Sequence, residues 1–118
     1  MNDYDSEIKF QEYVKKAFAL WGEDKQYLQL MEELGELSVA ANHLRRGKCD
    51  IEHFKGEICD VFMMIGEFIM YHNIPEIELE EMLDRTQESF YKKVDKEIKT
   101  RELEESRKKV LETDDPTK

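Results

Sequence analysis

The sequence predicts an all-α protein: an antiparallel four-helix bundle with a charged helical extension at its C-terminal end. Three observations predict it. Apolar residues recur at helical spacing over long stretches, and only two prolines and five glycines punctuate the 118 residues. No segment alternates apolar and polar residues for long enough to read as a strand. Long helices with short connections pack as antiparallel neighbours.

The first helix is expected from about Ser6 to Leu20, with Phe10, Val14, Ala17, Phe18 and Trp21 as an apolar stripe that stops at Gly22. The second is expected to begin near Asp24, an N-cap residue type, and to run to Arg46. Gly47 then takes the left-handed conformation that closes a helix. Asp50 caps the third helix, which continues to about His72. The turn "HNIP" follows, and Pro75 suits the first position of a fourth helix. That helix has an apolar face through Ile77, Leu79, Met82, Leu83, Phe90 and Val94. From Asp95 to Lys109 it turns mostly charged, with Glu104/Lys108 and Glu105/Lys109 at i,i+4 spacing. The tail "ETDDPTK" has nothing to bury and is expected to fray. Residues 1–94 are thus read as the helical domain that carries the chemistry, and residues 95–118 as a charged extension and tail.

Composition narrows the setting. A chain of this length supports one core. Eighteen basic against 28 acidic residues give a net charge of -10, which excludes a grip on duplex nucleic acid, since that needs clustered Lys and Arg. Cys49 and Cys59 are too few for a disulfide framework and are read as reduced packing residues. No basic-then-apolar leader opens the sequence. The most apolar run, Val61 to Met70, contains Glu67 and is far shorter than a membrane span. We expect a cytoplasmic protein with no membrane partner.

The stretch "MEELGELSVAANHL" carries the first functional signal. At about 100° per residue, with Glu33 at zero, Leu30, Leu34, Leu37, Ala40, Ala41 and Leu44 fall within roughly -20° to +100°. Glu33 therefore lies inside an apolar stripe, with Glu36 on its flank. The third helix repeats the device: with Glu57 at zero, Ile58, Val61, Met64, Ile65 and Phe68 fall in the same range, and Asp60 takes the flank. Glu32, Glu67, Glu80 and Glu81 are read as solvated, as charged residues on helices ordinarily are.

Four carboxylates near one core need compensation, because like charges in a poorly solvated place drive one another toward protonation. Lys or Arg can supply it, or a metal can. The basic residues of these two helices, Arg45, Arg46, Lys48 and Lys55, cluster mostly by the connection, so a divalent cation is the simpler answer. All-carboxylate oxygen suits Mg²⁺ or Mn²⁺ rather than zinc. No Glu-x-x-His occurs, since Ala40, Asp50 and Ile69 stand three residues before His43, His53 and His72, and a di-iron bundle is excluded. His53, near a helix start, is read as a surface residue. An oxygen-only Mg²⁺ site that completes its coordination with substrate phosphates points to phosphate chemistry.

"EELGE" (Glu32, Glu33, Glu36) followed by "EICD" (Glu57, Asp60) resembles the E-E-x-x-E … E-x-x-D signature of the MazG-like all-α nucleoside triphosphate pyrophosphohydrolases. "WGEDKQ", Trp21 to Gln26, resembles the segment that leads into their first motif helix, and the similarity covers roughly residues 10 to 95. The resemblance implies an oligomerising bundle, a homodimer or dimer of dimers. It also implies Mg²⁺ dependence, with Mn²⁺ as a substitute, and cleavage of an NTP or dNTP between its α and β phosphates to the monophosphate and pyrophosphate. It makes Glu33, Glu36, Glu57 and Asp60 the metal ligands. Several relatives carry Lys, Asn and Lys-Tyr on the last core helix; here "DRTQESFYKK" offers Arg85, Ser89, Tyr91 and Lys92 instead, which leaves the substrate open.

On that reading Glu33 or Glu32 accepts the proton of the attacking water. Arg85, Lys92, Lys25 and Lys48 are the cations available to steady phosphates. Trp21 and Phe18 are read first as packing residues, with stacking on a base as their second use. A non-enzymatic homo-oligomeric interaction module is the alternative. The third helix is apolar nearly all round, with Cys59, Phe62, Met63 and Ile69 beside its main stripe, and needs cover from both sides.

Overall fold

Short helix-closing motifs set the architecture. The computed structural model describes residues 3–113, which form four helices: α1 (Asp3–Trp21), α2 (Glu23–Arg45), α3 (Ile51–Tyr71) and α4 (Glu76–Thr113). Among the described residues there is no strand, so the all-α class stands. The chain divides into two units, Met1–Ile74 and Pro75–Lys118. The part of the tail at residues 114–118 lies outside the described residues.

A single residue separates α1 from α2. Gly22, at φ 87° and ψ 157°, takes a backbone conformation that only glycine adopts without strain. Its N–H still donates to the Phe18 carbonyl at 2.9 Å, and its own carbonyl accepts from Gln26 at 3.2 Å. The chain thus changes direction with both backbone groups of Gly22 still bonded. Gly22, and not Asp24, is the N-cap of α2, and no side chain caps it. A cap at Asp24 would leave two residues of linker that the glycine makes unnecessary.

The other connections close as expected. At the end of α2 the Gly47 N–H donates to Leu44 at 3.0 Å and the Lys48 N–H to His43 at 2.7 Å. This is the paired bonding of a glycine-closed helix, with Gly47 at φ 72°. The Asp50 carboxylate accepts from the His53 N–H at 2.9 Å and starts α3. The end of α3 repeats the closure, with Asn73 at φ 51° in the glycine's place. Its N–H donates to Met70 and that of Ile74 to Ile69. Pro75 stands one residue before α4, its carbonyl accepting from Glu78 at 3.1 Å.

In the first unit α3 packs on both α1 and α2. Val14, Phe18, Met64 and Phe68 form the core, with Phe10, Leu30 and Met70 packed against them. Burying such side chains contributes about 1.5 to 3 kcal/mol each. Phe18 stacks on Tyr71 at 3.8 Å between ring centroids and meets Phe68 edge-on at 5.5 Å. Tyr27 of α2 packs on Phe68 and shares a 2.8 Å hydrogen bond with His72. The start of α2 therefore lies against the end of α3, and these two helices are antiparallel.

The α4 helix runs unbroken through residue 94, where the charged stretch begins. Arg101 donates to Glu97 at 3.1 Å across one of its turns. Among the described residues no helix is long and apolar enough to cross a membrane.

Candidate functional site

The seam between α2 and α3 brings three of the sequence-selected acids together. Glu33, Glu36 and Glu57 each offer a carboxylate oxygen within 4.8 Å of the others. Their positions follow from the seam itself: each helix must turn an apolar stripe toward its neighbour, and Glu33 and Glu57 interrupt the two stripes at the same level. Glu33 and Glu57 are half-buried, and Glu36 is exposed.

These carboxylates are under-compensated. Glu33 Oε1 accepts from Gln29 Nε2 at 2.9 Å, but Glu33 Oε2 and Glu57 Oε2 are buried without a hydrogen-bond partner. His53 Nε2 stands 4.0 Å from Glu57 Oε1. Among the described residues of the first unit, no Lys or Arg pairs with Glu33, Glu36, Glu57 or Asp60; Lys55 bonds Glu52 instead, at 2.8 Å. The Glu33 carboxylate pushes the Glu36 carboxyl above the ordinary range, with burial second and Glu57 and Glu32 adding to it.

Asp60 stands outside that trio. It is exposed and shares with Glu33 the wall of a cavity of about 290 Å³. The α2 residues Lys25, Gln26 and Gln29 and the α3 residues Met63, Met64 and Glu67 line the rest, with Trp21 at the end of α1. The α3 wall therefore uses positions i, i+3, i+4 and i+7 from Asp60, one face of a helix.

Other sequence expectations fall as follows. Glu32 is exposed. Phe18 is core. Trp21, expected first as a packing residue, is 52 % exposed and lines the cavity. Cys49 is half-buried, its thiol donating to the Ala40 carbonyl at 3.7 Å, whereas Cys59, expected to pack, is exposed. Lys48 is exposed in the α2–α3 connection. Arg85 and Lys92 lie exposed on α4, in the second unit. Arg85 shares a shallow groove with Met82, Thr86 and Ser89.

Glu67 is the correction of most consequence. Expected on a solvated face, it is 9 % exposed, its Oε2 is buried without a partner, and burial pushes its carboxyl above the ordinary range. Its spacing held the signal: seven residues beyond Asp60, it lies about 20° from it on the wheel. Gln26 was missed as well, although it falls about 20° from Glu33 on that wheel, and its side chain is buried at 5 % exposure. No family model, no curated protein and no solved structure matches the chain.

Proposed function

We propose that this chain is a divalent-cation-dependent nucleotide pyrophosphohydrolase of the MazG-like kind, cleaving a nucleoside triphosphate between its α and β phosphates. The observation that carries the reading is the convergence of Glu33, Glu36 and Glu57 within 4.8 Å, with two buried oxygens unpartnered. Hard oxygen donors at that spacing, with no Lys or Arg of the described first unit paired to them, fit Mg²⁺ or Mn²⁺. Such an ion supplies positive charge to the phosphate oxygens and to the leaving pyrophosphate. The motif "EELGE … EICD" supports the same reading from the sequence.

The chain's own groups take the remaining tasks. Glu33 is the better-placed proton acceptor for the attacking water, because the Gln29 amide holds one of its oxygens and leaves the other without a partner. Glu32 is exposed. Lys25, on the cavity wall with Glu33 and Asp60, offers a cation to the polyanion. Phosphate-binding roles for Arg85 and Lys92 rest on the resemblance.

The test is a screen of ribo- and deoxyribonucleoside triphosphates with Mg²⁺ or Mn²⁺, reading pyrophosphate release and its loss in chelator. Inertness toward every nucleotide tried, with no effect of metal on melting, would overturn the reading. One observation favours a second function. Phe62 and Met63 are 70 % and 56 % exposed on α3, an apolar surface suited to self-association as a homodimer or a dimer of dimers. A pure interaction module would show that association with no turnover.

A further inference from the structure

The cavity beside the carboxylates has two chemically different ends. Along α3, Asp60 and Glu67 are two turns apart, roughly 10 Å at 1.5 Å per residue. Along antiparallel α2, Glu33 and Gln26 span the same interval in the same direction. The acidic end holds Glu33 and Asp60, and the far end holds Glu67 and Gln26, with Trp21 and the thioethers of Met63 and Met64 also on the wall.

At the far end stands a group with no partner. A carboxyl oxygen withdrawn from water and left without a hydrogen bond costs free energy that a ligand donor recovers. Glu67 Oε2 is such an atom, on a residue nine-tenths buried, in the wall of a cavity that also presents an aromatic surface. Flat heteroaromatic rings with polar edges suit a wall of this composition, since indole and thioether take the ring face and carboxyl and amide take the edge.

We propose that this end of the cavity is the base pocket of the nucleotide site, and that Glu67, with Gln26 beside it on the wall, selects bases carrying an exocyclic amine. The inference rests on the nucleotide reading above and adds the base class. A carboxyl oxygen accepts from an amine whether or not the carboxyl carries its proton, whereas an oxo group in the amine's place is tolerated only when the proton sits on the oxygen that faces it. Cytosine and adenine are thus favoured over uracil and hypoxanthine, which carry an oxo group in the amine's place and an N–H in place of the acceptor ring nitrogen beside it. Sites built around a buried polar group reject the ligand that leaves it unpaired.

The chain supplies its own reporter, because Trp21 is its single tryptophan and it lines the cavity. Trp fluorescence is titrated in chelator with CMP against UMP and with AMP against IMP, so that binding is read without turnover. Preference for the amino member of at least one pair by about tenfold, equal to 1.4 kcal/mol, supports the proposal. Ratios within about threefold for both pairs overturn it, even if the chain hydrolyses triphosphates. Preferential binding without hydrolysis upholds the pocket and removes the enzyme reading. Glu67→Gln, checked for folding by circular dichroism, places an amide that donates to an oxo group as readily as it accepts from an amine. The preference should collapse toward one, and an unchanged ratio in the folded variant removes Glu67 from the role.

Discussion

Two clusters of polar groups along the α2–α3 seam are satisfied in opposite ways. Where the start of α2 meets the end of α3, Tyr71 donates to Glu23 at 2.9 Å and the Tyr27 hydroxyl hydrogen-bonds His72 Nε2 at 2.8 Å, beside stacked rings. Further along the same seam, Glu33, Glu36 and Glu57 face one another with two buried oxygens unpaired. Partnered polar groups in the first cluster hold the helices together. Unpartnered ones in the second lower the stability of the free protein and raise its affinity for whatever satisfies them. Glu67, its Oε2 unpartnered near the start of α2, belongs with the second kind.

The largest effect expected beside the first cluster is from Phe18→Ala. It removes a ring that stacks on Tyr71 and meets Phe68, and should cost about 3 to 5 kcal/mol in denaturant unfolding. In the second cluster, Glu57→Gln keeps the shape and removes a charge from the trio. Pyrophosphate release should fall by about 100-fold or more, while the melting temperature in chelator holds or rises because repulsion is relieved. A much lower melting temperature in chelator would show instead that Glu57 has a structural partner.

Mg²⁺ should stabilise the wild type by about 2.7 kcal/mol when present at 100 times its Kd, and thermal unfolding with and without chelator measures it. Tyr71→Phe should cost about 1 kcal/mol or less, because the bond to Glu23 is exposed at both partners. The smallest effect is the pH dependence from Glu67. Its carboxyl titrates above the ordinary value of 4.5 in the folded protein, so the native state binds the extra proton. The stability it carries is complete below that value and is lost as pH rises through the raised pKa. Melting in chelator across that interval should show a shallower decline for Glu67→Gln than for the wild type. Glu36, pushed the same way by Glu33, leaves a residual slope in both.

The sequence made the helices legible because their ends are written in local chemistry. Gly47 needs a left-handed backbone and Asp50 offers a capping oxygen, and both act within a few residues of themselves. The acidic trio was legible for a different reason, since Glu33 and Glu57 interrupt stripes that the helical period makes visible. Glu67 was not legible by the rule that charges stay wet, because its burial comes from the packing of neighbouring helices on α3, a tertiary fact. Asp60 and Glu36 occupy equivalent places on their own helices, yet only Glu36 joins the trio. Equivalence on a wheel fixes direction and leaves the distance across the seam open.

Gly22 carries a consequence for how this protein can change length. With α1 ending at Trp21 and α2 starting at Glu23, the first connection has no slack. One inserted residue joined to the start of α2 would turn that helix by about 100° relative to α1, moving either Gln26 and Glu33 off the seam or Phe18 out of the core. The stretches 46–50 and 72–75 lie between helices that are already closed, so insertions there leave both registers intact. A lineage that lengthens this chain has those two places to do so.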